Sequence, residues 1–586
     1  MRRYRRFPSR VLVPLAALLV ATGSASAPDD LDTFVMDQMT RRHIAGLSLA
    51  VMQDGKIVAT RAYGVTDRDG QRPVTTSTLF QAGSISKSVA ALGALHLVEQ
   101  GKLNLDTDVN TTLKTWKLPS SAFTTTKPVT LRGLLSHSAG LTVHGFPGYD
   151  TDAPMPTLVQ VLDGARPANT AAIRNDTTPG ARWNYSGGGY TIMQQMMIDV
   201  TGQSFPSYMN SAVIEPLGMT RSSYAQPLSP ALAATTAAGH YPNGRMVHGR
   251  WHLYPEMAAA GLWTTPTDLL RFAMEIQQTY AGKSSKVITQ VMARQMLTDQ
   301  KNDDGLGVFL QGSGSALWFS HNGRDEGFDA SLNASAETGQ AVAIMINAND
   351  DSRLVARIGD FIAHKYHFAN ASAYVAPAAV SVPTNQLNDV AGRYEMANNQ
   401  MGAFLVQNGR LFISIGGLPD EEFIPLGNDL FASADHDVRF SFVRDASGAV
   451  TDVTRIRAGG EIHASPRIGP LFSALAQQRD DDPSLAKRVD AILHALERGG
   501  KALDTVPGLT DGARKDLRGL AWQPAADLRR LTFVSTQDIT ARNIERHANK
   551  VARMRYYRML AGGEERLLLV YVTSDGLVTD VDVVDE

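Results

Sequence analysis

The chain has 586 residues, too many for one hydrophobic core at the usual ~100–200 residues per domain, so several domains are expected. Hydrophobic residues make up 43% and charged residues 19%, which excludes the disordered and fibrous classes; a net charge of -2 and a pI near 6.7 exclude the one-signed field of a nucleic-acid binder. With no cysteine, disulfides, thiol nucleophiles and thiolate metal sites are excluded as well, leaving small-molecule or peptide chemistry.

The first element is a targeting segment. Arg2, Arg3, Arg5, Arg6 and Arg10 precede an apolar run from Val11 to Ala21, and Ala25-Ser26-Ala27 follows, which reads as a signal peptide over residues 1–27. The run is about half of the ~20 residues a membrane span needs, so no stable anchor is expected once the signal is removed, and the mature protein is expected in the periplasm or secreted. Pro28 leaves cleavage after Ala25 open, and the paired arginines leave a twin-arginine route open.

A helix is predicted over Leu31 to Arg42, then a hairpin in which Asp54-Gly55 supplies the turn between two apolar strands. From Ser84 to Glu99 the apolar residues recur at helical spacing and Gly101 stands at the C-cap, so Ser84 begins a helix. Further helices are predicted at Tyr190–Val200, Pro266–Gln278, Lys286–Leu297 and Arg353–His364, with strands at Ala316–His321, Ala330–Ala334 and Ala341–Ile346. Residues 28–370 thus read as an α+β domain whose sheet is mostly late in the chain. Residues 371–383, carrying Pro377 and Pro383, read as a linker. Between 384 and 468, short alternating segments punctuated by Asn408-Gly409, Gly416-Gly417 and Ser447-Gly448 read as a small antiparallel barrel or sandwich. Residues 469–586 combine an amphipathic helix at Ser484–Glu497 with four strands, an α+β unit whose role as lid, oligomer contact or binding module is left open.

A serine hydroxyl needs a base beside it to act as a nucleophile. In Ser84-Ile85-Ser86-Lys87 the hydroxyl and the amine are three residues apart and share one helix face. Ser84 also opens its helix, where free N–H groups favour an oxyanion. Such a pair alone is also compatible with a solvated helix start.

The surrounding residues are more specific. Phe80-Gln81-Ala82-Gly83-Ser84-Ile85-Ser86-Lys87 resembles the nucleophile motif of the serine β-lactamase and penicillin-binding protein superfamily, in its branch of class C β-lactamases, D-alanyl-D-alanine carboxypeptidases and related esterases. Leu134-Leu135-Ser136-His137-Ser138-Ala139-Gly140-Leu141, Tyr185-Ser186-Gly187, Ala260-Gly261-Leu262-Trp263-Thr264-Thr265 and His321-Asn322-Gly323 resemble further signatures of that branch, in the same order. The resemblance implies a β-lactamase/transpeptidase-like domain, an antiparallel sheet flanked by helices, that needs no cofactor and cleaves an amide or ester through an acylated Ser84. It implies Lys87 and Tyr185 as the base pair and His321 in place of the triplet lysine, contributing positive character. The N–H groups of Ser84 and Arg324 would form the oxyanion hole, and Asn322, Gly323 and Gly187 would line the substrate. Implied substrates are small molecules or peptides, among them D-amino-acid or cell-wall compounds; a β-lactamase and an acylating sensor that stalls are the alternatives.

Two positions depart from the pattern. Gly187 stands where the motif has asparagine, which normally bonds the substrate's amide; its loss weakens the case for β-lactam recognition and is expected to leave room for a bulkier acyl group. His321 is a weaker fixed cation than lysine. The opening Val390-Ala391-Gly392-Arg393-Tyr394 resembles the lipocalin-like domain attached to many members of this branch, implying a domain that shapes or caps the cleft. His240, His248, His252 and Glu256 suggest a metal set, but the intervening Pro242, Asn243, Gly244 and Pro255 argue for loop, so none is expected to bind one. His137 is expected to be a structural histidine, and no Gly-x-Ser-x-Gly elbow is present.

Overall fold

The computed structural model describes residues 29–584 apart from 242–243, 351, 370–377, 397–400, 416–420, 434–437, 458–461, 498–500, 518–527, 543, 548 and 562–563. The signal segment and most of the linker lie outside the described residues.

The first domain is built on a fully antiparallel sheet. Helix α1 (Asp30–Arg41) leads into β1 (Gly46–Gln53) and β2 (Lys56–Gly64), whose Asp54-Gly55 turn is the one expected, both residues having positive φ. Helix α2 (Ile85–Glu99), α3 (Gly187–Thr201) and α4 (Pro266–Tyr280) follow, then β3 (Phe309–Gln311), β4 (Trp318–Asp325), β5 (Phe328–Ser335), β6 (Ala341–Ile346) and α5 (Arg353–Lys365). The strand order is β2-β1-β6-β5-β4-β3, so the early hairpin docks beside the last strand.

The near-continuous apolar runs of β1 and β6 have a physical cause: both faces are covered. Leu47, Leu49, Val51, Val342 and Ile344 pack under α1 and α5, while the alternate residues Ala50, Met52, Ala341, Ala343 and Met345 join the core on the other side, with α2 and α4. Helix α5 turns Leu354, Val355, Ile358 and Ile362 inward at helical spacing. Helix α2 is buried from Ile85 to Leu95 without interruption, which makes it the central element of the larger core.

The second domain is a closed barrel of β7 (Gly392–Glu395), β8 (Met401–Gln407), β9 (Arg410–Ile415), β10 (Glu421–Gly427), β11 (Leu430–Ser433), β12 (Val438–Arg444), β13 (Val450–Arg457) and β14 (Ile462–Gly469), preceded by a short helix, Thr384–Val390. Its interior is filled by Tyr394, Phe404, Phe423, Phe431, Phe440 and Phe442, several of them edge to face. The third unit lays α6 (Pro483–Glu497) on a sheet of β15 (Leu528–Asp538), β16 (Arg553–Ala561), β17 (Glu564–Val572) and β18 (Val578–Val584). Met401 and Ile468 of the barrel share a cluster with Phe472, Val534, Met554 and Tyr571, so barrel and third unit have a common apolar seam.

Candidate active site

Ser84 stands at the N-cap of α2, yet its hydroxyl does not cap the helix. Lys87, 2% exposed and one turn on, donates from Nζ to Ser84 Oγ at 2.9 Å and to the carbonyl of Ala259 at 2.8 Å. Two further contacts fix the turn: Ser86 Oγ accepts from Leu262 N–H at 3.0 Å, and Tyr224 OH donates to the Ser86 carbonyl at 2.7 Å. The turn before Ser84 is forced tight by the sheet. Gly83 has φ +50°, and a Cβ there would lie 2.3 Å from the amide nitrogen of Arg324; one on Gly323 would lie 1.8 Å from the Ala82 carbonyl and 3.2 Å from the Ser84 amide nitrogen. Only glycines at both places let β4 run against the Ser84 turn, which brings the backbone of Arg324 beside that turn.

Tyr185 comes from a loop about a hundred residues away and is held from both sides by His137. The carbonyl of His137 accepts from Asn184 N–H at 2.8 Å, and its Nδ1 accepts from Ser186 N–H at 3.1 Å. The two rings lie 4.1 Å apart, and Lys87 Nζ is 5.1 Å from the Tyr185 ring centre. Burial and the neighbouring Lys87 keep the His137 ring neutral, its pKa well below the usual histidine value. The expectation of a satisfied structural histidine is therefore too modest, because what it satisfies is the backbone on either side of Tyr185. The motif carried this signal only as a family signature.

His321 is a correction. It lies buried on β4 against Phe309, with ring centres 4.9 Å apart, and Nδ1 faces the Asn322 carbonyl at 2.6 Å. Nδ1 must carry the hydrogen to make that contact, which leaves Nε2 as an acceptor. Burial and the charge of Lys87 push its pKa down to about 3, so the ring supplies no positive charge near neutral pH. Asn322 is a second correction: the pleat puts its side chain on the face opposite His321, Gly323 and Asp325, where it is exposed, and it does not line the cavity described below.

Gly187 is the third. A Cβ at this position would meet Phe146 Cε2 at 3.0 Å and the His144 carbonyl at 3.1 Å, so the missing side chain leaves no room for a bulkier acyl group. The space belongs to the 142–148 loop.

Ser84, Lys87 and Tyr185 open on a cavity of about 290 Å³ lined also by His144, Gly145, Phe146, Ala259, Ala260, Arg324, Asp325, Glu326 and Asn349. All belong to the first domain, and among the described residues the barrel lines none of it. Burial raises the Asp325 carboxyl well above the carboxylate range, and Glu326, half-buried and bonded to Tyr241, is raised as well. His240, His248 and His252 bond separately, to Asn347, Asp152 and Asp150, and among the described residues no three ligand-type side chains converge on a metal site. None of the described helices is long and apolar enough to cross a membrane.

An antiparallel sheet with a Ser-x-x-Lys helix laid against its third-last strand and a tyrosine delivered from the helical layer is the arrangement of the serine β-lactamase and penicillin-binding protein superfamily. The chain belongs to the family described as Beta-lactamase, whose model matches residues 31–366, more than half its length. It is 26% identical to Protein flp of Staphylococcus aureus (strain MRSA252) over 199 residues, 33% of this chain and 38% of that one. Penicillin-binding protein 4 of Amycolatopsis lactamdurans is 29% identical over 264 residues (44% and 66%), and Esterase EstB of Burkholderia gladioli 29% over 205 residues (33% and 51%). The chain thus spans between about a third and two-thirds of the length of these relatives. An octameric penicillin-binding protein homologue from Pyrococcus abyssi has the same fold over 74% of this chain and 99% of its own, with a TM-score of 0.51 at 21% identity.

Proposed function

We propose that this chain is an exported serine hydrolase that cleaves an ester or amide through an acyl-Ser84 intermediate. The observation that carries the reading is the 2.9 Å contact of Lys87 Nζ with a Ser84 hydroxyl left free of helix capping, at the mouth of a cavity that Tyr185 also lines. In the proposed reaction Ser84 Oγ attacks the carbonyl carbon while the Lys87–Tyr185 pair, with one member unprotonated, takes the hydroxyl proton. The N–H groups of Ser84 and Arg324 bind the oxyanion, the pair returns the proton to the departing alcohol or amine, and water then releases the acid by the reverse sequence. No step calls for a cofactor.

The cavity argues for an ester or a simple amide over a β-lactam. Lys87 is bound to Ser84 and Ala259, His321 is neutral, the Arg324 guanidinium bonds Asp329 at 3.0 Å, and Glu326 lies on the wall, a poor setting for a substrate carboxylate. Ser84→Ala is expected to abolish both labelling by a fluorophosphonate and turnover of p-nitrophenyl esters; labelling that survives the substitution refutes the reading, and cephalosporin turnover at rates like those of simple esters refutes the substrate preference. Export rests on the composition of residues 1–27 and predicts a mature N-terminus at Ser26 or Pro28, read by N-terminal sequencing of the native protein.

A further inference from the structure

The start of α3 is Gly187-Gly188-Gly189, a poor opening for a helix on entropy alone. Its cause is the 142–148 loop. Gly187 N–H donates to the His144 carbonyl and Gly188 N–H to the Val143 carbonyl, both at 3.0 Å, and Ser186 Oγ donates to the Thr142 carbonyl at 2.8 Å. A Cβ on Gly188 would stand 2.8 Å from the Thr142 carbonyl and 2.9 Å from Ile173, so any larger residue would push the loop away. The far end is equally fixed: Gly148 lies against the Tyr254 ring, Asn169 donates to its carbonyl at 2.7 Å, and His252 Nδ1 donates to the Pro147 carbonyl at 2.7 Å. Held at both ends, the loop places Phe146 on the cavity wall above Gly187.

The loop side of that wall is short of side chains able to receive an amide, the lining carboxyls Asp325 and Glu326 belonging to β4 and the turn after it. Gly187 has none, and the His144 carbonyl facing it is already bonded. Asn349, a lining amide, is spent on the Gly327 N–H and on Asp325, Phe328 and Asp329 oxygens. Phe146, Gly145, Ala259 and Ala260 supply surface for an apolar group. Burying an amide without partners costs about 1–3 kcal/mol, which is roughly a five- to 150-fold loss in rate.

We infer that the 142–148 loop is the acyl-specificity element of this site, and that through Phe146 it selects acyl groups with an apolar or aromatic face and no acylamino branch beside the scissile carbonyl. This rests on the hydrolase reading of Ser84. The test uses matched ethyl thioesters of 3-phenylpropanoate and of N-acetyl-D- and N-acetyl-L-phenylalanine, which differ only in the acetamido branch. Wild type is expected to favour the unbranched ester at least tenfold in kcat/KM, Phe146→Leu to keep that preference, and Phe146→Ala to bring it within about threefold. Equal use of branched and plain esters by the wild type, or an unchanged ratio in Phe146→Ala, overturns the inference while Ser84-dependent turnover leaves the hydrolase reading intact. If no ester is turned over and no phosphonate labels Ser84, both fall together.

Discussion

The side chains around Ser84 divide the work of charge very unevenly. Lys87 brings the cation, while His137 and His321, which a sequence would assign as protonatable, are held neutral by burial and by that same cation. Because the His321 pKa is about 3, no acid limb of kcat/KM above about pH 4 belongs to it. His321→Gln is expected to leave the shape of the pH–rate profile unchanged, and a limb near pH 6.5 that vanishes in the variant would contradict this. His137 acts as a positioning residue through the backbone of Asn184 and Ser186. In His137→Ala both the ring bond and the ring contact are lost, which is expected to slow phosphonate labelling of Ser84 by roughly ten- to a hundredfold, about 1.4–2.7 kcal/mol in barrier, with KM nearly constant; a change confined to KM would count against positioning.

Glu256 shows the cost of burial at the same scale. It is 0% exposed, among the described residues neither carboxyl oxygen has a partner beyond Glu256's own backbone, and desolvation pushes its pKa up to about 8 from 4.5. Between about pH 4.5 and 8 the folded chain therefore holds a proton that the unfolded chain has lost, so this group erodes stability by up to ~1.4 kcal/mol per unit as pH rises through that window. Glu256→Gln removes the slope. Relative to wild type its melting temperature is expected to rise by several degrees between pH 5 and pH 8, read by calorimetry; parallel curves would show that Glu256 ionises in the fold.

At the scale of elements, what was legible in the sequence was what is local. The predicted strand Ala341–Ile346 agrees with β6 to the residue, and α5 follows its apolar period, because each packs in a way its own residues encode. Strand β4 runs four residues past its expected end, through Asn322-Gly323-Arg324-Asp325. Those residues do not resemble a strand, since Gly323 answers to the Ala82 carbonyl on a distant turn and not to its neighbours. The same blindness hid the loop over Gly187: the glycine triplet was visible, and the carbonyls it makes room for were not. Helix α-forming signals at Lys286–Leu297 overran the true start at Gln290, where Thr289 caps, and the short helix Thr384–Val390 carried too few turns to show a period. Gly323→Ala isolates the non-local part. With its Cβ 1.8 Å from the Ala82 carbonyl, the strand and the Ser84 turn must separate, and a loss of 1–3 kcal/mol in stability is expected together with at least a hundredfold slower acylation. A stable variant with full activity would show that the close approach is incidental.

At the scale of the whole molecule, chemistry and architecture separate. Every described residue lining the cavity is in the first domain, whereas the barrel and the third unit are joined by a buried ionic network. Arg546, 1% exposed, reaches Glu395 of β7 at 3.0 Å, Asp582 at 3.5 Å and Asp580 at 3.7 Å, and donates to Tyr571 OH at 2.7 Å with its guanidinium 4.2 Å from that ring. Removing one partner from such a network strands the others, typically at 3–5 kcal/mol. Burial already pushes Glu395 up to about 7 and Asp582 up to about 6 even with the arginine present. Both folded-state values lie above the unfolded ones, so these carboxyls cost nothing below about pH 4, where both states hold the proton, and most above about pH 7. Arg546→Met is therefore expected to lower the melting transition of the barrel and third unit much more at pH 8 than at pH 5, while labelling of Ser84 at 25 °C stays near the wild-type rate. If labelling is lost together with that transition, the C-terminal half supports the catalytic domain in a way the cavity does not reveal. If the transition does not move at either pH, the Arg546 network contributes nothing to holding the two units together.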